Sequence, residues 1–214
     1  MSSFSKIKGV IFDLDGTLID SLNETSDILN KMREQRGSPP LSKENYKKLI
    51  SHGAGDLVQF SCGKYESKVK LIDEFRELYK LTTTSRNSIY PGVIETLERL
   101  KLRGVKLAIC TNKPINLCLK VLADTNMTHY FEGIVAGGMT KESKPSSEPI
   151  CLVMEKLGLN SDQVILVGDS TVDQDAAKAS SVQFVFFKLG YNDGVKESSS
   201  LFSISCLSEL IIKL

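Results

Sequence analysis

Net charge is almost absent from this chain: 27 lysines and arginines face 26 aspartates and glutamates, which leaves +1. No global field argues for DNA, RNA or an anionic membrane surface, so any preference for an anion has to be local. Long apolar runs are absent too, and none approaches the length that crosses a membrane. The opening MSSFSKIKGVIF holds too short an apolar stretch for a secretion signal before it reaches Asp13. The cysteines Cys62, Cys110, Cys118, Cys151 and Cys206 are odd in number and show no C-x-x-C spacing. That disfavours a disulfide framework or a zinc site and fits a reducing compartment. Cys110 and Cys151 have apolar neighbours and are expected in the core. The expectation is a cytoplasmic protein, a monomer or homodimer, with no nucleic-acid or membrane partner.

What remains is ordinary globular composition, 41% hydrophobic and 25% charged over 214 residues. That length suits one large domain or a domain with an insertion. Short apolar runs recur at 8–15, 105–112, 133–138, 163–169 and 182–187. They are nearly continuous rather than alternating, which predicts strands covered on both faces of a parallel sheet. Helical patterns at 92–103, 114–124, 147–157 and 171–180 lie between them. The alternation predicts an α/β fold, a doubly wound parallel sheet of Rossmann-like form.

Residues 20–88 break the rhythm, with no strand pattern. Leu22, Ile28, Leu29 and Met32 are spaced for one helix, SKENYKKLI opens another, and Val69, Ile72, Phe75, Leu78 and Tyr79 fit a third. A helical domain over 20–88 is therefore expected inside a core made of 1–19 and 89–214. Tyr65 and Tyr79 are expected to pack within it. Its few aromatics and mixed charge suggest a small, polar pocket. Pro91 and Gly92 mark the turn back into the core. The serines at 198–200 read as a surface loop before a short helix at 206–213.

Polar residues gather where the predicted strands end. Asp13 and Asp15 close the first, where Gly16 permits a turn. Thr111 and Asn112 close the second, and Asp169 closes the fourth. If Ser170 or Thr171 caps the next helix, Asp173 falls in its first turn; Lys144 sits on the loop after the third strand. Ligands of doubly wound sheets bind at this carboxyl edge. Two like charges ~4 Å apart repel by ~4 kcal/mol at an effective dielectric near 20. Clustered carboxylates must then protonate or hold a cation. Oxygen donors without cysteine or histidine favour Mg²⁺ over zinc.

The segments DLDGTLIDS, CTNKP, KP and GDSTVDQDAA, in that order, resemble the four motifs of the haloacid dehalogenase superfamily, phosphatase branch. SHGAGDL (51–57), YPGV (90–93) and LGYNDG (189–194) are similar to its phosphoglycolate phosphatase-like subgroup. The resemblance implies that the insert is a cap domain which closes over a small phosphate monoester. It implies that Asp13 is the nucleophile and Asp15 the general acid and base. Mg²⁺ would be held by Asp13, the Asp15 backbone carbonyl and Asp169, with Asp173 in support. Thr111 and the Asn112 N–H would bind phosphoryl oxygens, and Lys144 would neutralise charge between Asp13 and the phosphate. Two departures stand out: Ser147 replaces a proline expected in KPSSEP, which would loosen that loop, and Asp175 is an extra acid, read as lying on the helix surface.

His52 either reaches the substrate from the cap or sits in a helix-start loop with its imidazole exposed. Two other functions fit parts of the pattern. A β-phosphoglucomutase-like enzyme would use the same aspartates to move a phosphoryl group on a sugar. A receiver-like phospho-accepting module would need neither Asp15 nor the helical insert.

Overall fold

In the computed structural model, which describes residues 6–63 and 66–214, strand β1 (Gly9–Phe12) lies inside the sheet with a neighbour on either side. Phe12 stands opposite Ile109 of β2 (Lys106–Pro114) and Val167 of β4 (Val164–Gly168). With β3 (Gly133–Gly137), β5 (Gln183–Phe187) and β6 (Phe202–Ile204) the order is β3-β2-β1-β4-β5-β6, with every neighbouring pair parallel. The expectation for Tyr65 lies outside the described residues.

Successive strand residues alternate between two buried clusters. Val10, Phe12, Ile109 and Val167 belong to one; Ile11, Cys110, Leu166 and Phe184 belong to the other. Both faces of each strand are thus apolar, which explains the unbroken hydrophobic runs. Helices α7 (Glu148–Leu157) and α8 (Thr171–Ala179) cover one face. Helices α5 (Val93–Leu102), α6 (Ile115–Asp124) and α9 (Glu209–Lys213) serve the other. Gly92 precedes α5 in the left-handed region, at φ +80°, as the re-entry turn requires.

Between β1 and α5 the described residues form four α-helices: α1 (Leu22–Glu34), α2 (Glu44–Lys47), α3 (Ala54–Cys62) and α4 (Lys68–Leu81). Leu29, Met32, Leu71, Phe75 and Tyr79 join the same buried cluster as the lower sheet face. The chain leaves and re-enters side by side. Asp20 N–H donates to the Ser88 carbonyl at 2.7 Å, and Tyr90 N–H to the Leu18 carbonyl at 3.0 Å.

Several details differ from the sequence expectation. Helix α3 begins among glycines that read as a loop. The sixth strand, three residues long, was not visible as an apolar run because serine interrupts it, and it leaves α9 shorter than 206–213. Cys151 faces solvent on α7, whereas Cys110 is buried as expected; all five thiols are free. Among the described residues no helix is long and apolar enough to cross a membrane.

Leu97 of α5 is fully buried in the larger cluster. Leu97→Ala should lower unfolding free energy by about 2–5 kcal/mol in urea titrations, as for other leucine truncations in close-packed interiors. A loss well below that range would mean the α5 contact is loosely packed.

Candidate active site

Asp13 continues β1 by one residue, since its N–H still donates to the Val167 carbonyl at 2.9 Å. The chain then turns sharply: Leu18 and Ile19 N–H groups both donate to the Leu14 carbonyl at 3.0 Å. Gly16 makes this turn at φ +92°, and a Cβ there would lie 2.4 Å from an Asp169 carboxylate oxygen. On the other side of Asp169 a Cβ on Gly190 would come within 2.3 Å of the Asp169 Cβ and the Gly16 carbonyl. Bare backbone on two sides thus admits Asp169 to the end of β1.

Asp13, Asp169 and Asp173 form one buried group, with an oxygen from each within 4.8 Å of the others. Lys144 enters it from the loop after β3. Its Nζ donates to Asp13 Oδ1 at 2.9 Å and Asp173 Oδ1 at 2.5 Å. Asp173 Oδ2 accepts from Ser170 N–H and Oγ–H, and Ser170 Oγ accepts from Asp173 N–H. This reciprocal cap fixes the start of α8, as the sequence led us to expect. Asp169 accepts from Thr17 Oγ1 at 2.9 Å and Tyr191 N–H at 2.7 Å.

Asn112 has a second task. Its side-chain amide donates to the Lys144 carbonyl at 2.9 Å and accepts from Lys144 N–H at 3.0 Å. The lysine loop is therefore pinned at Lys144, and Ser147 leads into α7. Thr111 is buried and, like Asn112, lines the cavity in front of Asp13. Asp175 is exposed on α8, as expected.

Asp15 stands apart from the acidic trio and has its own counter-charge. Lys113 Nζ donates to its two oxygens at 3.0 and 3.2 Å and to Tyr79 Oη at 3.0 Å. The ammonium also lies 4.1 Å from the Tyr79 ring centre. Sequence reading missed Lys113. A lysine after a strand end reads as solvated, and the partner that buries it arrives on α4. Tyr79, expected only to pack, is part of this contact.

His52 lies at the far side of the turn before α3. Its Nε2 is 2.7 Å from Asp193 Oδ2, and it is not among the cavity walls, although Ser51 and Gly53 are. Asp193 also accepts from Thr171 N–H and Oγ1–H, both at 2.7 Å. Tyr191 accepts from Ser21 N–H at 2.7 Å and donates to Asp20 Oδ1 at 3.2 Å. The LGYNDG loop thus ties Asp169, the start of α8 and the exit to the helical insert together. The signal in the sequence was the similarity of LGYNDG to the phosphoglycolate phosphatase-like subgroup.

The cavity itself measures about 50 Å³. Asp13, Asp15, Thr111 and Lys113 form its core wall, while Ile50, Leu57, Phe75 and Arg76 face them from the insert. It is small, as composition suggested, but its outer wall is more apolar.

Burial dominates the electrostatics. It raises the Asp13 carboxyl from an ordinary 3.8 to about 7, with Asp173 and Asp15 adding to it and Lys144 opposing. Burial, then Asp173 and Asp13, raises Asp169 well above its ordinary value. Burial pulls Lys144 down, but Asp13 and Asp173 more than offset it and leave it raised. Lys113 is likewise raised, by Asp15 and Tyr79 against burial. Burial pushes the Cys110 thiol up to about 12, which leaves it a core residue rather than a nucleophile. One ammonium among three buried carboxylates leaves negative charge uncompensated. The all-oxygen donor set suits a hard divalent cation.

A family model described as haloacid dehalogenase-like hydrolase matches residues 10–187. The phosphoglycolate phosphatase of Photorhabdus laumondii is 34% identical over 207 residues, 94% of this chain and 88% of that protein. That of Aquifex aeolicus is 33% identical over 204 residues, 94% of each chain. A crystal structure of a predicted phosphoglycolate phosphatase from Haemophilus somnus is similar at a TM-score of 0.87 and 29% identity, covering 98% of this chain and 99% of that one.

A carboxyl whose pKa is raised by folding binds its proton more tightly in the folded state. Its stabilising contribution is present below the unfolded value and is lost as pH rises towards the folded one. For Asp13 that window runs from 3.8 to about 7. With a chelator present, stability should fall from pH 5 to pH 8. Asp169→Asn removes a carboxyl that burial makes costly to ionise, so it should gain stability relative to the parent as pH rises to 8. The difference should shrink at pH 5. Urea unfolding at both pH values checks this; an equal loss at both would show that the Thr17 and Tyr191 hydrogen bonds outweigh charge relief.

Proposed function

The chain belongs to the haloacid dehalogenase-like hydrolases, and on that footing we propose that it is a Mg²⁺-dependent phosphatase that cleaves small phosphate monoesters, phosphoglycolate foremost. The observation that carries this reading is the placement of Asp13. It lies at the end of a central strand, faces a small cavity, and is shared between a buried lysine and two further carboxylates. The phosphoglycolate phosphatases similar over most of the chain support the choice of substrate.

Asp13, Asp169 and Asp173, with the Asp15 backbone, would hold Mg²⁺. When bound, the ion supplies positive charge against the phosphoryl oxygens and offsets the buried carboxylates. The residues would do the rest. An Asp13 oxygen attacks phosphorus as the bond to the ester oxygen breaks. Asp15 gives its proton to that leaving oxygen. Water then attacks phosphorus, the bond to Asp13 breaks, and Asp15 takes the proton back. Lys144, fixed by Asn112, stabilises charge beside Asp13 throughout. Thr111 and the Asn112 N–H orient the phosphoryl group. Lys113 and Tyr79 position Asp15. The free thiols accord with a cytoplasmic setting.

Phosphate release from phosphoglycolate should require Mg²⁺ and stop on chelation. Asp13→Asn should lower kcat by at least about 1,000-fold, the scale seen when a nucleophile is removed. A variant that keeps most of its Mg²⁺-dependent activity would contradict the mechanism. Unchanged phosphate release after chelation would contradict the metal requirement.

A further inference from the structure

Two polar groups on the wall of the cavity in front of Asp13 are unpaired and have no part in this reaction. Arg76 of α4 and Ser51 of the turn before α3 both line it. Arg76 Nε and Ser51 Oγ are buried and have no hydrogen-bond partner. The other buried side-chain atoms in that state among the described residues, on Glu24, Thr84 and Ser200, do not border the cavity. Arg76 has one ion pair, with the exposed Asp73 at 3.9 Å, and an exposed pair of that length holds a guanidinium weakly. A buried donor without an acceptor is unfavourable. Two in one cavity point to an acceptor that arrives with a ligand.

We propose that Arg76 and Ser51 form the subsite for the leaving group, and that the group they take is a carboxylate. The substrates would then be phosphate esters of short hydroxy acids. This deepens the phosphatase reading above and rests on it for the phosphoryl half of the site. Three observations favour a carboxylate. Lys144 and Lys113 are both committed to aspartates, whereas Arg76 is a cation of the cavity wall with no buried acid against it. A guanidinium pairs with a carboxylate through two parallel hydrogen bonds, and the serine hydroxyl can add a third. Ile50, Leu57 and Phe75 give the insert wall an apolar stretch that suits a short carbon chain. The cavity is small, which favours a small acid such as glycolate.

The test compares phosphoglycolate with ethyl phosphate, which has the same two carbons and no carboxylate. The Arg76 side chain is half-exposed with its Nε buried, so Arg76→Gln should lower kcat/KM for phosphoglycolate by about 10-fold, the scale of one hydrogen bond to a charged group. It should change ethyl phosphate turnover by no more than about threefold, the scale of a surface pair. Ser51→Ala should act in the same selective direction, more weakly. Calorimetry on Asp13→Asn separates binding from turnover. That protein should bind phosphoglycolate more tightly than ethyl phosphate, and adding Arg76→Gln should remove the difference. An Arg76→Gln protein that loses both substrates equally, or neither, overturns the subsite. If the parent hydrolyses both esters equally well, the phosphatase reading stands and the subsite falls. If it hydrolyses neither while Asp13→Asn still prefers phosphoglycolate through Arg76, the subsite stands and the phosphatase reading falls.

Discussion

Repulsion among the carboxylates of Asp13, Asp169 and Asp173 is the constraint around which the carboxyl edge of the sheet is built. Each is buried, and burial raises the free energy of a charged carboxylate far more than exposure would. Lys144 answers part of that charge through direct bonds to two of the three. Asn112 holds the lysine by its backbone, and Ser170 holds the third aspartate in the first turn of α8. Glycines at 16 and 190 clear the space that Asp169 occupies. None of these arrangements is needed for packing alone. Each makes sense as a means of keeping like charges together at a site whose oxygen donors suit a hard cation.

A second charge pair, Asp15 with Lys113, lies across the same cavity and depends on the helical insert. Tyr79 reaches it from α4, so the proposed proton-transfer residue is held jointly by core and insert. His52 and Asp193 make another such bond on the far side, and Tyr191 joins the end of the insert to Asp169. The insert therefore does more than shield the cavity from water. It supplies a wall in which Ile50, Leu57 and Phe75 are apolar and Arg76 and Ser51 carry unpartnered polar atoms, and it contributes to the geometry of the acid opposite.

Much of this was legible in the sequence. The core strands showed because both faces of each are covered, which leaves uninterrupted apolar runs. Asp13, Asp15, Thr111, Asp169 and Asp173 could be singled out because they end strands or begin helices, and Lys144 because it follows the third strand in the order of the family's motifs. What was not legible depends on distant parts of the chain meeting. Lys113 was not singled out, because the tyrosine that covers it, Tyr79, arrives from α4. His52 had no assignable partner until the LGYNDG loop arrived beside it. Helix α3 was hidden by its opening glycines, and β6 by serine in a strand of three residues. Cys151 sits in an apolar run that is helical, so one face of that run meets solvent.

The central claim is that Asp13 takes the phosphoryl group onto its own oxygen, with the surrounding charges arranged for that event. Acid quenching during steady-state turnover of phosphoglycolate, followed by peptide mass spectrometry, addresses it directly. The account predicts one phosphoryl group on the peptide that contains Asp13, placed at Asp13 by fragmentation, and absent without Mg²⁺. Full turnover with an unmodified Asp13, or with the phosphoryl group on another residue, would contradict it.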